Sequence, residues 1–413
     1  MWQRRGAGRR SSRARDGRKG SAPPSFCVVD PGHSRLRLLV AEAGEEGATV
    51  WGWAETASPD QPDAQWWADA CGPVLRRAEE MAQDLAGRLI LPDCVIVGLS
   101  GSEIRGWAGP VTQRRSQPDR PVDERELEAL LERALRLAVH RLQGTDPAGE
   151  PWLLVDTMPV SLAVDGRGVT DPVGFRCKEL GATVFAALAP LASIETWKWV
   201  ARHLEFSELT VGAAPLALAA GFRDPQGLLI DVGGGATQLT WMRAGRPLAL
   251  SALPLGGGSL SEALMRKWHV PEDKAEELKR AYVGGKLAAE ARLEVQEALL
   301  PAIQSWLQTT EAALEQMNQD EPLPQQILVL GGGTALPEVV DSVRALAWSR
   351  RLHFVRYPEV RCVRPADVPG VVNRTDLGRE PGDVAALALA AWTARQSQPA
   401  ERPARILAAL CQP

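Results

Sequence analysis

Three short apolar runs of this chain each end at a turn that contains glycine, and this repeated pattern limits the fold more than any other feature. A short apolar run that stops at glycine is typical of a buried strand entering a tight turn. Glycine also lets backbone N–H groups converge on a phosphate. The pattern therefore predicts a nucleotide clamp made from strand ends. The runs and their turns are residues 26–29 with 30–34, 228–230 with 231–235, and 327–330 with 331–334.

The first two of these turns begin with an aspartate, Asp30 and Asp231. A carboxylate at a strand end can hold Mg²⁺ directly or through water. We therefore expect both residues at a metal site beside the phosphates. The alternative for the first turn is an ordinary connection between two hairpin strands, because residues 35–41 have the pattern of a return strand.

Length and cysteine usage limit the class of protein. A chain of 413 residues is too long for one core and suggests two to four domains. Its six cysteines have neither metal-ligand nor redox spacing, which favours reduced structural thiols in a cytosol. The longest uncharged apolar stretch, residues 209–222, is too short to span a bilayer, and the basic start lacks the apolar segment of a signal peptide. We expect a cytoplasmic protein.

Charge is distributed unevenly along the chain. Residues 1–20 contain eight Lys and Arg against Asp16 alone, while the whole chain carries a net charge of −4. This composition is typical of a disordered basic tail on an acidic body. Such a tail can bind an anionic membrane surface or nucleic acid. The alternative is a solvated tail without a partner, and we expect no specific nucleic-acid binding.

Predicted strands and helices alternate along most of the chain, which indicates the α/β class. The second half repeats the strand-turn-hairpin plan of the first, so we expect two related halves around a cleft. The predicted parts are a disordered tail (1–24), a first core (25–97 and 191–224), an inserted α+β subdomain (98–190), a second core (225–258 and 325–397), a small helical subdomain (259–324) and a C-terminal tail (398–413).

Two halves that each open with strand-Asp-x-Gly resemble the actin-like ATPase superfamily. Residues 95–104 resemble the V-x-L-S-G-x-x-I segment of the bacterial cell-division family FtsA, and residues 164–174 resemble its longer string D-G-x-x-G-x-x-D-P-x-G. Residues 275–279 match the A-E-x-L-K shared by the FtsA and PilM families. The resemblance covers about residues 26–395. It implies an actin-like ATPase fold with two related halves and an α+β subdomain inserted in the first.

The resemblance implies ATP and Mg²⁺ as ligands, with Asp30 and Asp231 at the metal. It assigns Asp30, Gly32, Ser34 and Arg35 to a first phosphate turn, and Asp231, Gly233, Gly234, Gly235 and Thr237 to a second. It assigns Gly256, Gly257 and Gly258 to a connecting turn, Glu276 and Lys279 to contact with the ribose and base, and Gly331, Gly332 and Gly333 to an adenine loop. For Glu276 and Lys279 the alternative is a solvated ion pair on one helix face.

Two departures from the family pattern affect catalysis. The family commonly reads G-G-G-T-x-D at the second turn, where this chain has Ala236 and Gln238 in place of the Thr and the Asp. A neutral amide cannot act as a general base, and it weakens a metal site. His33, which replaces a family Thr, is interpreted as a turn filler. We expect slow or no ATP hydrolysis, and no catalytic residue is identified.

The implied function is that of an ATP-binding scaffold in cell division. It would self-associate into filaments and recruit FtsZ or another division protein at the inner face of the cell membrane. The alternative is a PilM-like assembly protein for a type IV pilus or secretion system, because few residues separate Lys279 from the next helix. A sugar kinase is a third reading, without an identifiable sugar-site base. The apolar segment 405–410 is short for an anchor, so residues 1–20 are the expected membrane contact.

Overall fold

The computed structural model describes residues 24–59, 62–144, 149–222, 226–317, 321–345 and 347–411. The basic segment 1–20, predicted to meet a membrane, lies outside these ranges. In the described part the strands form two sheets, with orders β15-β3-β2-β1-β4-β9 and β14-β13-β10-β11-β12-β5-β8-β6-β7. Helices pack against both sheets, so the α/β prediction is confirmed.

The strands are β1 Ser25–Pro31, β2 Arg35–Gly44, β3 Gly47–Ala57, β4 Cys94–Leu99, β5 Arg105–Arg114, β6 Trp152–Val164, β7 Arg167–Val169, β8 Glu179–Pro190, β9 Leu209–Ala213, β10 Gln226–Val232, β11 Thr237–Arg243, β12 Arg246–Leu253, β13 Gln326–Leu330, β14 Glu359–Cys362 and β15 Val371–Asn373. The helices are α1 Ala64–Ala86, α2 Glu124–Gln143, α3 Leu191–His203, α4 Ala214–Gly221, α5 Gly257–Trp268, α6 Glu272–Val283, α7 Ala289–Met317, α8 Pro337–Arg344, α9 Val384–Gln396 and α10 Arg402–Leu410.

The two halves open with the same strand arrangement. β1 pairs antiparallel with β2 and parallel with β4, and β10 pairs antiparallel with β11 and parallel with β13. Alternate residues of β1 enter opposite cores, with Cys27 and Val29 on one face and Phe26 and Val28 on the other, as the pleat of a strand requires. The strand is buried on both faces, which is why its sequence is continuously apolar.

The inserted subdomain between β4 and β9 consists of α2 and the strands β5, β8, β6 and β7. α2 begins after Asp123, whose side chain caps the helix by accepting a hydrogen bond from Glu126 N at 2.9 Å. β6 is one continuous strand of 13 residues. Its register shifts between Pro159 and Ser161, and proline cannot donate to a ladder. The subdomain joins the second sheet through Ala249 of β12 and Trp107 of β5.

The last part of the chain returns from the second sheet to the first. β15 pairs parallel with β3, and α9 packs with α4 against the first sheet. The segment 325–397, assigned by sequence to the second core, is therefore divided between both sheets. α10 then packs against α2 and β6 of the inserted subdomain. Among the described residues, the helices are too short or too polar to cross a membrane.

Candidate nucleotide site

The first glycine turn connects β1 to β2 and is closed by its own backbone. Gly32 N donates to Asp30 O at 3.0 Å, and a methyl group at Gly32 would lie 2.7 Å from Arg35 O. The Asp30 side chain is buried and accepts a hydrogen bond from Arg37 Nη1 at 3.2 Å. Burial raises the pKa of Asp30, and the Arg37 guanidinium opposes that shift. Arg35 is paired instead with Glu55 at 3.0 Å and Glu380 at 2.9 Å.

The second glycine turn connects β10 to β11. Asp231 lies at the end of β10, and Gly233 N donates to Ala236 O at 2.9 Å to close the turn. Burial, followed by the negative charge of Asp30, raises the pKa of Asp231 to about 7, and Arg37 opposes this. The Asp231 side chain is partly open to the cleft. Two carboxylates from separate strands thus face the same region between the halves.

The two turns contact each other directly. A methyl group at Gly234 would lie 2.5 Å from Ser34 Oγ, and one at Gly235 would lie 2.9 Å from His33 Cγ. A side chain at either position would displace the Ser34 or His33 side chain from its contact with the second turn. His33 lies at this contact between the turns, in line with its interpretation as a turn filler, and its side chain is exposed.

The connecting glycines lie directly behind the second turn. Gly257 N and Gly258 N each donate at 2.8 Å, to Gly233 O and Gly234 O respectively. A methyl group at Gly256 would lie 2.5 Å from Gly233 O. α5 begins at this contact, so these glycines fix the second turn through backbone bonds, and the N–H groups of Gly257 and Gly258 are already used there.

Thr237 and Gln238 begin β11 and have structural partners. Thr237 Oγ1 donates to Leu255 O at 2.7 Å and accepts a hydrogen bond from Trp306 Nε1 at 2.8 Å. The hydroxyl is therefore not brought to the cleft, contrary to its predicted place in the phosphate turn. Gln238 Oε1 accepts from Gly101 N at 3.1 Å. That bond ties the second half to the start of the inserted subdomain.

Glu276 and Lys279 on α6 reach back to the start of α5. Lys279 Nζ lies 2.6 Å from Ser261 Oγ, 3.1 Å from Gly257 O and 2.5 Å from Glu276 Oε1. Ser261 is fully buried, and the Lys279 side chain is 16% exposed. Lys279 is thus part of the packing beside the connecting turn, whereas the Glu276 side chain is 35% exposed.

The third glycine cluster follows β13 and lies next to Asp231. Gly331 has φ 91°, a left-handed backbone that favours glycine, and a methyl group there would lie 2.2 Å from Asp231 Oδ1. Gly333 is packed against Val232. Gly332 is exposed, and a methyl group on it would meet nothing closer than Gly382 Cα at 4.0 Å. Gly332 therefore borders open space between the halves.

The sequence interpretation missed two site residues, Arg37 and Asp383. Arg37 Nε lies 2.9 Å from Asp383 Oδ1, and both side chains are at most 10% exposed. Arg37 also lies 3.7 Å from Glu55. The available signal for Arg37 was an arginine between two leucines of the apolar strand β2. Asp383 precedes α9, and nothing local in the sequence distinguishes it from a helix cap.

Two carboxylates of the cleft, Asp30 and Asp231, are of the ligand type that Mg²⁺ takes from proteins, usually one or two with water and phosphate completing the shell. The charges that act on Asp231 are those of Asp30, which raises its pKa, and Arg37, which lowers it. Asp30 is itself buried and lies 3.2 Å from Arg37 Nη1, whereas Asp231 is partly exposed. No group of three or more His, Cys, Asp or Glu suited to a metal occurs in the described ranges.

Sequence comparison finds FtsA proteins and no matching protein-family model. The chain is 24% identical over 294 residues to the cell division protein FtsA of Pseudomonas aeruginosa, an alignment covering 65% of this chain and 67% of that one. It is 23% identical over 264 residues to the FtsA of Bacillus subtilis (62% and 57%) and 28% over 218 residues to that of Rhizobium meliloti (51% and 46%). The aligned part spans about half to two thirds of these relatives.

Structure comparison finds the same fold in a PilM–PilN type IV pilus biogenesis complex. The TM-score is 0.62 at 20% identity, covering 91% of this chain and 99% of that one. This likeness concerns the fold alone, which is the actin-like ATPase fold predicted from the sequence. Proteins of this fold generally bind a nucleotide, usually with a divalent metal. Together with the FtsA relatives, the fold confirms the predicted resemblance: the chain is similar to FtsA proteins and has the actin-like ATPase fold.

Proposed function

We propose that the chain is an ATP-binding scaffold of bacterial cell division that self-associates and recruits a division protein such as FtsZ near the membrane. Nucleotide binding is supported by the contact between the two glycine turns, where Asp30 and Asp231 approach each other from β1 and β10. The division part rests on the FtsA relatives.

In the proposed complex, the turns at Gly32–Ser34 and Gly233–Gly235 hold the phosphates, and Gly332 borders the adenine slot. Gly331 and Gly333 shape this loop from behind, because both are packed against the end of β10. Asp30 and Asp231 hold Mg²⁺, which would offset phosphate charge there. Arg37, in contact with Asp30, adds a fixed positive charge. Glu276 and Lys279 position the connecting glycines from behind rather than acting alone on the ribose.

The proposed activity is slow or absent hydrolysis. A general base must lie within hydrogen-bonding reach of the proton that it takes. Gln238 is neutral, buried and fully engaged, since its Nε2 donates to Ser251 O at 3.0 Å and to Leu239 O at 3.1 Å. We therefore propose that bound nucleotide sets the conformation of the protein, in the manner of a scaffold.

A PilM-like assembly role is the second candidate, and one observation favours it. Residues 257–317, all of which the structure describes, fold into α5, α6 and α7 without a strand. The sequence resemblance implies extra strands at this place in FtsA, where that family contacts FtsZ. The compact helical subdomain therefore fits the shorter PilM plan better.

Co-sedimentation separates the two candidates. The full chain is incubated with Mg–ATP and with FtsZ polymers from the same cell, and a matched sample carries Asp231→Ala. We expect ATP-dependent pelleting with FtsZ that the variant loses. If the chain binds ATP but never pellets with FtsZ, and its deletion removes pili while septa form normally, the division proposal is wrong and the assembly role replaces it.

A further inference from the structure

One end of the second sheet is an open edge. β14 is the terminal strand of this sheet and pairs only with β13 in the part of the chain that the structure describes. Glu359 N and Val363 N each donate at 2.8 Å to carbonyl groups on the β13 side. Successive residues of a strand direct their backbone groups to opposite sides, so the N–H and C=O groups of Val360 and Cys362 point away from the sheet.

The same border of the sheet begins before β14. Phe354 forms an isolated bridge with Leu323, and Val355 N donates to Leu323 O at 2.8 Å. Residues 354–362 therefore follow one border of the sheet. Two large apolar side chains of this stretch are exposed, Val355 at 52% and Tyr357 at 76%. Tyrosine is more frequent in interfaces between proteins than on the rest of the protein surface.

The border from residue 350 to residue 364 is a basic edge. It contains five arginines and one acid, although the whole chain has a net charge of −4. All five arginines are exposed, and none of them forms an ion pair with a carboxylate of the described ranges. The single acid, Glu359, is already bound, because its Oε1 accepts a hydrogen bond from Gln325 Nε2 at 2.7 Å. The five are Arg350, Arg351, Arg356, Arg361 and Arg364.

We propose that the basic edge is a docking site for an acidic, extended peptide segment of a partner protein. The segment adds to the second sheet as a further strand beside β14, the mode in which a free sheet edge binds a peptide. Its backbone pairs with the outward groups of Val360 and Cys362, and its acidic side chains lie along Arg361. Arg356 and Arg364 extend the positive charge to both sides of β14. None of these residues belongs to the candidate nucleotide site, so docking is a second function, independent of ATP binding.

Charge complementarity selects the occupant. Glu359 and Arg361 lie on the exposed face of β14, and Val360 packs against the core. Arginines on a free edge hinder pairing with apolar strands, but they favour pairing with an acidic strand, since opposite charges directly across a ladder attract. A nucleic acid fits less well, because its phosphates only accept hydrogen bonds and the carbonyl groups of Val360 and Cys362 need donors. A peptide backbone supplies both donors and acceptors.

Fluorescence anisotropy with a defined peptide tests the docking. The probe is a short labelled peptide in which glutamate alternates with threonine, and the control peptide has glutamine in place of every glutamate. We expect the full chain to bind the probe more tightly than the control by about tenfold or more, and the difference to shrink as salt screens the charges. Hydrogen exchange is the second measurement, because the probe should slow exchange at the outward amides of Val360 and Cys362.

Charge reversal at Arg361 locates the bound probe. Arg361→Glu changes an exposed side chain, so we expect the variant to fold and to bind the glutamate probe more weakly by about tenfold or more. It should gain binding of a peptide in which lysine alternates with threonine. Arg266→Glu is the matched control, because it makes the same charge change on α5 at a side chain that is 72% exposed, and it should bind the glutamate probe as the wild type does. Thermal unfolding checks that both variants are folded.

Three results would overturn the proposal: the chain does not bind the glutamate probe at low salt, it binds the probe and the glutamine control equally, or Arg361→Glu keeps full affinity. If a single-stranded oligonucleotide binds more tightly than the probe and Arg361→Glu abolishes that binding, the basic edge is a nucleic-acid site and the peptide proposal is wrong. Asp231→Ala separates this site from the cleft, because that variant should bind the probe like the wild type even where it has lost ATP binding.

Discussion

The carboxylates of Asp30 and Asp231 lie near enough across the cleft for their charges to interact. Burial raises the pKa of Asp231 to about 7, and the negative charge of Asp30 adds to the shift. The two aspartates lie at the ends of strands from separate halves. A cation between them would remove the repulsion and lower the pKa again.

The first prediction concerns the pH dependence of Mg–ATP binding. Mg²⁺ needs deprotonated carboxylates, and burial raises the pKa of Asp231 to about 7. We expect the Mg²⁺-dependent part of ATP affinity to increase from pH 6 to pH 8, by up to about tenfold per pH unit below the pKa. Calorimetry at several pH values measures this. Asp231→Asn is the control, and an equally steep profile in that variant would show that another group titrates.

The second prediction concerns Gly332 and the adenine slot. A methyl group at this position has no neighbour closer than 4.0 Å. We therefore expect Gly332→Ala to fold normally and bind ATP like the wild type, whereas Gly332→Arg fills the open space and abolishes detectable binding. Asp231→Ala should also abolish binding, through loss of metal coordination. Unchanged ATP affinity in both Gly332→Arg and Asp231→Ala, measured by calorimetry, would place the nucleotide elsewhere or nowhere.

The sequence predicted the strand ends of the site because their signal is local. An apolar run followed by Asp and glycine encodes a strand and a turn within a short stretch of chain, as at Asp30 and Asp231. Asp123 and Glu126, three residues apart, likewise mark the start of α2. These features need no knowledge of distant partners.

Contacts between distant segments could not be predicted in this way. Asp383 meets Arg37 from near the other end of the chain, and Thr237 turns its hydroxyl to Trp306 on α7. α10 has the composition of a short tail, and its burial depends on a groove formed by α2 and β6. In each case the partner is chosen by packing, and packing has no local signature in sequence.

The third prediction concerns hydrolysis and Gln238. The structure gives this amide a role as a buried bridge, because it accepts from Gly101 N and donates to Ser251 O. Gln238→Glu restores the acidic residue of the family but places a carboxylate against two carbonyl oxygens. We expect a loss of stability of roughly 1 to 3 kcal/mol and no gain in ATPase.

Wild-type turnover should stay below about 1 s⁻¹, the low end for ordinary enzymes. Steady-state phosphate release and urea unfolding measure the two effects. Faster turnover in the wild type, or a stable Gln238→Glu variant that hydrolyses ATP rapidly, would contradict this account of the site.

The fourth prediction concerns Asp156, which joins the inserted subdomain to the first core. Its Oδ2 accepts from Ala213 N at 2.7 Å, and burial raises its pKa to about 7. The pKa of Asp156 is higher in the folded protein than the value of 3.8 for an unfolded chain. The contribution of this group to folding stability is therefore fully present below pH 3.8 and is lost as the pH rises through about 7. We expect Asp156→Asn to keep the acceptor and to be more stable than the wild type at pH 8, by about 2 kcal/mol.

Urea unfolding at pH 5 and pH 8 checks the sign of this effect. The advantage of Asp156→Asn should shrink towards pH 5, where the wild-type carboxyl is already protonated. Asp376→Asn is the matched control, because that side chain is fully exposed and should change little at either pH. A variant that is less stable than the wild type at pH 8 would show that the charged form is the one the fold prefers.

The fifth prediction concerns membrane binding. The apolar edge of α10 is buried in the inserted subdomain, so it cannot lie in a bilayer unless the helix leaves its groove. Residues 1–20 carry eight cations against one Asp, and each cation contributes about 1 kcal/mol near an anionic surface. We expect binding to anionic but not neutral liposomes, lost on deletion of 1–20 and at about 1 M salt, where the Debye length is about 3 Å. Deletion of 403–413 should leave binding intact. The opposite pattern in co-sedimentation, with binding lost only in the chain without 403–413, would show that α10 undocks to act as the anchor.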